Sequence, residues 1–248
     1  MSGHSKWHSI KHKKAEVDKK RGKIFTKHAK LIAVAARKGG DPNMNPSLRA
    51  AIDNARAENM PVDNIERAIK KGTGEAKDAA QIEEVIYEGY GPGGVALYIE
   101  ALTDNRHRTI ANLKNIIGKK GGNMGAAGAV GYLFQRKGLV NVTAGQKSND
   151  EIELAAIDAG AQDIKVSDDI IEIYTEPQAV MQVKKALEAS GIKVDSARLT
   201  YLAQNAVPVR ETETARKLID LIEAIEEDED VTEVYSNDEI DPAILEKL

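Results

Sequence analysis

From Ile24 onward, apolar residues recur every three or four positions. Ile24, Phe25, His28, Leu31, Ile32 and Ala35 fall on one face of a helix that Gly39–Gly40 should stop. The stretch "GGDPNMNP" reads as a turn, with Pro46 suited to the first turn of a second helix. Leu48, Ala51, Ile52 and Ala55 form that helix's inner face. A third helix is predicted from Pro61, with Val62, Ile65, Ala68 and Ile69 inward and its end at Gly72. These three helices define a small all-α domain over residues 23–78, with "GTGEAKDAAQ" as the linker out of it. Residues 1–22 lack a steady apolar period and read as a flexible or partly helical arm ending at Gly22.

Beyond Gln81 the period changes from three or four to two. "IEEVIYEGY" and "GVALYIEALT" read as strands joined by the turn "GPGG". "DNRHRTIANLKNIIGKK" follows as a helix capped near Asp104 or Asn105, then the glycine-rich loop "GGNMGAAGA" and a strand "VGYLFQ". Residues 138–203 run strand, helix, strand, strand, helix, strand, which is the split βαβ or ferredoxin-like order. The closing helix "ETARKLIDLIEAIEE" and strand "VTEVYSN" cannot form a domain alone, so they should complete the earlier sheet. The expected architecture is therefore α+β and multidomain. An arm (1–22) and an all-α domain (23–78) precede an α+β middle domain (79–134 plus 204–248), which carries an inserted ferredoxin-like domain (135–203).

Charge changes this picture. The chain has 248 residues and a formal net charge of −4. Residues 1–38 hold twelve Lys and Arg against two acids, a local charge of +10, whereas residues 220–248 carry −11. A long, nearly acid-free basic run is what a polyanion partner requires, because each neutralised phosphate releases counterions. The acidic end reads as a solvated face, or as a surface that repels nucleic acid from the wrong side. Trp7 adds a stacking face inside the basic run. The rest of the chain is poor in aromatics, which argues against an RRM-like stacking sheet and for recognition of backbone and shape. No recognition helix for base reading announces itself. The candidate nucleic-acid-binding residues are Lys6, Trp7, His8, Lys11, His12, Lys13, Lys14, Lys19, Lys20, Arg21, Lys23, Lys27, Lys30 and Arg37, with Arg49, Arg56, Arg67, Lys70 and Lys71 adding charge.

Other chemistry finds little support. "GYGPGG" at 89–94 fits G-x-G-x-x-G, but a strand follows it, so its glycines read as hairpin residues rather than a dinucleotide cradle. "GKKGGNMG" lacks P-loop spacing. His4, His8 and His12 sit four apart among lysines that disfavour a dication, so phosphate or base hydrogen bonding is the better role. Ser5 and Ser9 lie near histidines but have no rigid oxyanion site. His28 reads as a satisfied packing residue, and His107, between two arginines, as a helper in anion binding. No cofactor, no metal and no small-molecule substrate are expected. The chain has no cysteine, no apolar run of membrane length and no secretory h-region, which suits a cytoplasmic protein.

Four segments carry a family resemblance: "GHSKWHSIKHKK", "RGKIFTKHAK", "AAIDNARAENMPVDNIERAIKKGTG" and "YEGYGPGGVALYIEALTDN". They closely resemble the YebC family, whose members are widely labelled probable transcriptional regulatory proteins and which includes a mitochondrial translational activator of cytochrome c oxidase. The resemblance extends over essentially the whole chain and implies a three-domain fold with an inserted third domain. His107 departs from it, since the family usually has Asn there. Resemblance and charge together give a non-enzymatic nucleic-acid-binding regulator of gene expression, of the DNA-binding transcriptional kind. One alternative is a ribosome-associated translation factor that binds rRNA or tRNA and relieves stalling. A second is a protein-interaction scaffold that uses the acidic end.

Overall fold

The computed structural model describes residues 17–75, 81–145, 147–167, 170–245 and 248, with side chains from Gly22 onward. Helix α1 spans Val17–Ala36, α2 Pro46–Ala57 and α3 Val62–Thr73. Ile32, Ala36, Leu48, Ile52, Ala55, Met60, Ile65 and Ala68 form their buried core, with Phe25 and Ala29 packed against it. The turn between α1 and α2 is pinned by Asn45. Its amide donates to Ala35 O and Gly39 O, both at 2.8 Å, and its Oδ1 caps α2 by accepting from Leu48 N at 3.1 Å.

Both predicted helix limits at glycine shift. The first helix is already formed at Val17 and runs through Gly22, because a polar segment with no apolar stripe still forms helix when it continues one that is anchored downstream. The third passes through Gly72 to a left-handed cap at Gly74, φ 80°. Gly72 is there for closeness rather than termination. A Cβ on it would lie 2.2 Å from Ala33 O and 2.7 Å from Ala36 Cβ, so α3 crosses α1 at near backbone contact. Leu31 and Val62 are exposed, although the apolar period places both inward. Helix α1 instead buries a second stripe: Ala33, with Val34 beside it, packs with Ile82 and Leu102 of the segment that follows.

That segment is an α+β layer. Strand β1 (Glu83–Tyr90) turns through Pro92–Gly94 into β2 (Ala96–Thr103), antiparallel, with Gly93 and Gly94 at φ 75° and 76°. The predicted hairpin is present, and no helix follows the glycines. Helix α4 (Arg106–Lys119) is capped by Asn105, and β3 (Asn123–Met124) adds to β1. After the insertion come β8 (Val207–Val209), α7 (Thr212–Glu226), β9 (Val231–Ser236), β10 (Asp238–Ile240) and the short α8 (Pro242–Leu245). Strand β9 pairs with β2, giving the sheet order β3-β1-β2-β9, so the closing helix and strand complete the earlier sheet. The parallel pair β8–β10 was not legible, since three-residue strands carry no measurable period.

The inserted unit comprises residues 132–206. Its strands β4 (Phe134–Thr143), β5 (Asp163–Ser167), β6 (Ile170–Thr175) and β7 (Val194–Ala203) alternate with α5 (Asn149–Asp158) and α6 (Val180–Ala189). The strand order β5-β6-β4-β7, all antiparallel, is the ferredoxin-like arrangement. Val140, Val142, Ile171 and Ile173 pack with Ile152, Ala156, Val183 and Leu187 between the sheet and its two helices. The two predicted strands "VGYLFQ" and "GLVNVT" are, from Phe134, a single strand: Gly138 stays in register with Thr175 and Leu199. Among the described residues, those from Val17 to Gly131 together with Val207–Leu248 make the other compact unit.

Candidate nucleic-acid interface

Of the sequence-derived candidates, Lys6, Trp7, His8, Lys11, His12, Lys13 and Lys14 lie outside the described residues, as do His4, Ser5 and Ser9. Lys19, Lys20 and Arg21 fall in the first turns of α1. Lys23, Lys27 and Lys30 follow on the same helix at spacings of four and three, which stacks them along one stripe.

That stripe faces the end of α7. Lys23 Nζ donates to Glu227 O at 3.0 Å, Lys27 Nζ to Glu226 O at 3.2 Å and Lys30 Nζ to Glu229 O at 2.6 Å. Helix C-termini leave carbonyls without intrahelical partners and carry partial negative charge. Five consecutive acids, Glu226 to Asp230, follow that end here, an arrangement that would oppose the helix unless cations were near. The three lysines supply them. The acidic end is therefore more than a solvated or repelling face: its 226–230 segment holds the basic helix.

Asp230 closes the contact. It is 3% exposed and accepts from Lys30 Nζ at 2.6 Å, from Arg108 at 2.9 and 3.0 Å, and from Thr109 Oγ1 at 2.7 Å, with Thr103 Oγ1 at 3.3 Å. Burial alone would push its carboxyl pKa up. The hydrogen bonds from Lys30, Thr109 and Arg108 overcome this and hold it at about 2. Asp228 takes the amide of Asn112 at 3.1 Å. Arg37, at the other end of α1, donates to Ile82 O. No sequence signal ties Asp230 to Thr103 and Thr109. The acid run itself, placed at a predicted helix C-terminus, was the available hint that cations must meet it.

The arginines around His107 are also committed. Arg106 pairs with Glu83, and Arg108 with Asp104 and Asp230, so both arginines beside His107 have carboxylate partners within the chain. His28 is half-buried on α1, but its Nδ1 is buried without a hydrogen-bond partner, so it is not the satisfied packing residue expected. Desolvation lowers its pKa, with Glu58 pulling the other way. In the helical part Arg49, Arg56, Arg67 and Lys70 are all exposed; Arg49 also donates to Pro42 O and Asn43 O, and Arg67 to Asn64.

The second buried carboxylate, Glu88 on β1, organises the glycine-rich loop. It accepts backbone N–H groups from Gly128, Val130 and Gly131 at 2.6–2.7 Å. Burial raises its pKa, and these three bonds bring it below the usual carboxylate range. Among the described residues no group of three or more His, Asp or Glu could hold a metal ion, and no helix is long and apolar enough to cross a membrane.

Comparison with known proteins places these features in a family. The TACO1/YebC protein N-terminal domain matches residues 5–75, and the TACO1/YebC second and third domain matches residues 82–238. A relative from Halothermothrix orenii, named "Probable transcriptional regulatory protein", is 49% identical over 100% of this chain and 99% of its own. A protein of the same name from Aquifex aeolicus is 48% identical over the full length of both. The crystal structure of a conserved hypothetical protein from Aquifex aeolicus superposes with a TM-score of 0.86 at 48% identity, over 94% of this chain and 96% of that one. The chain belongs to the TACO1/YebC family.

Proposed function

We propose that this chain is a non-enzymatic regulator of gene expression that binds nucleic acid through the phosphate backbone, with its basic N-terminal segment as the principal contact. The observation that carries the reading is the segregation of charge. A local +10 over residues 1–38 sits in a chain of net charge −4. The relatives' shared name supports the regulatory role. Support for a non-catalytic reading comes from the buried carboxylates. Glu88 and Asp230 are both fully engaged by donors within the chain that hold loops and helices together. Backbone recognition accommodates duplex DNA and structured RNA alike.

The test is fluorescence anisotropy with a DNA duplex and an RNA hairpin across a salt series. If about 6–8 phosphates are neutralised, log K falls against log[salt] with a slope of about −4 to −7. Deleting residues 1–16 removes Lys6, Lys11, Lys13 and Lys14 against Glu16. It should lower affinity at least about tenfold and make the slope shallower by about 3. A slope near zero, or a deletion without effect, overturns the reading. Crosslinking in cells, with sequencing of the attached molecules, then assigns the target: reads in promoters mean DNA, reads in rRNA mean the ribosome.

A further inference from the structure

The lysine stripe of α1 has two claims on it. In the free chain it holds the C-terminal end of α7; in a nucleic-acid complex its charge belongs on phosphates. Lys23, Lys27 and Lys30 each reach a main-chain carbonyl, and those contacts of Lys23 and Lys30 are exposed. Exposed ammonium contacts of this kind are individually weak and exchange readily with solvent or another anion. A phosphodiester offers each lysine a full negative charge in place of a carbonyl dipole.

We propose that the 226–230 acid run is an intramolecular competitor for phosphate. It occupies Lys23, Lys27 and Lys30 in the free protein and is displaced from them by nucleic acid, which frees α1 from α7. This rests on the nucleic-acid reading above and adds regulation to it. The consequence is coupling. Whatever weakens the acid run's hold strengthens binding, and binding moves the helical part relative to α7. The competitor also filters weak ligands, because an isolated phosphate cannot replace three contacts at once whereas a polyanion of matching spacing can.

Two measurements on the full chain test this. Glu227→Gln with Glu229→Gln removes two exposed charges and leaves the backbone carbonyls in place. The double variant should bind a DNA duplex of about 20 base pairs about two- to fivefold more tightly at low salt. For the second, the absence of native cysteine allows spin labels at Glu66→Cys and Arg216→Cys, both exposed. Their separation, read by double electron–electron resonance, should shift to longer distances on adding the duplex. Both results are required. Binding with an unchanged separation, or with unchanged affinity in the double variant, overturns the competitor while leaving the nucleic-acid reading intact. Absence of any binding by the unaltered chain overturns both.

Discussion

Replacing Asp230 by Asn tests whether the junction between α1, α4 and α7 is held by charge. The substitution preserves size but removes the negative charge that Lys30, Arg108 and Thr109 converge on. The magnitude follows from the carboxyl's pKa. A fall from 3.8 to about 2 on folding corresponds to roughly 2 kcal/mol at neutral pH. Lys30 is 15% exposed and Arg108 50%, so Arg108 can return to water while Lys30 stays partly desolvated. The expected loss is therefore about 2–3 kcal/mol, short of the larger cost of a fully buried orphan charge. Urea denaturation followed by circular dichroism reads this at pH 7. The sign with pH is fixed: a carboxyl whose pKa is depressed on folding stabilises above its unfolded pKa and ceases to do so as pH falls through the folded one. The native chain should thus lose this stability between about pH 4 and pH 2, and the variant should lack that component. A variant within about 0.5 kcal/mol of the native chain at pH 7, or one with the same acid profile, refutes the reasoning.

Two glycines on α1 and α3 should respond in opposite ways. Gly72→Ala forces α1 and α3 apart and should cost about 1–3 kcal/mol in denaturation, whereas Gly22→Ala meets nothing within 4 Å and should gain up to about 1 kcal/mol of helix stability. His28→Leu removes the buried unpartnered Nδ1. Because the folded pKa lies below 6.5, the unfolded chain takes up its proton first, so the native protein should weaken as pH falls below about 6.5. In the variant that decline should be reduced; an identical pH profile from 7 to 5 would show that His28 does not titrate with folding.

Periodicity made the element types legible because it reports which face is buried. It gave the three helices, the hairpin, the ferredoxin-like order and the return of the last strand to the first sheet. It failed where one helix serves two partners. On α1 the stripe through Phe25 and Ile32 meets its own domain, while Ala33 and Val34 meet Ile82 and Leu102, and a single-face reading does not separate the two. It failed at glycines too. Gly22 and Gly72 look like stops, and only the neighbouring helix reveals that Gly72 is a contact. The candidate interface was half legible. Positive charge on α1 is plain in the sequence, but hydrogen bonds across some 200 residues to Glu226–Asp230 have no local signature.

Those contacts change what the charge count means. Twelve cations in residues 1–38 suggest twelve available partners for phosphate. Lys23, Lys27, Lys30 and Arg37 are already engaged within the chain. Upstream of Gly22 stand Lys6, Lys11, Lys13, Lys14, Lys19, Lys20 and Arg21 against Glu16 and Asp18, a net of five positive charges. Five neutralised phosphates on duplex DNA correspond to a salt slope of about −4 to −5. Adding the three α1 lysines, once the acid run is displaced, carries it to about −7. A slope of about −4 to −5 would thus mark the upstream segment acting alone, and one of about −7 the same segment joined by the α1 lysines that the free chain engages at the end of α7.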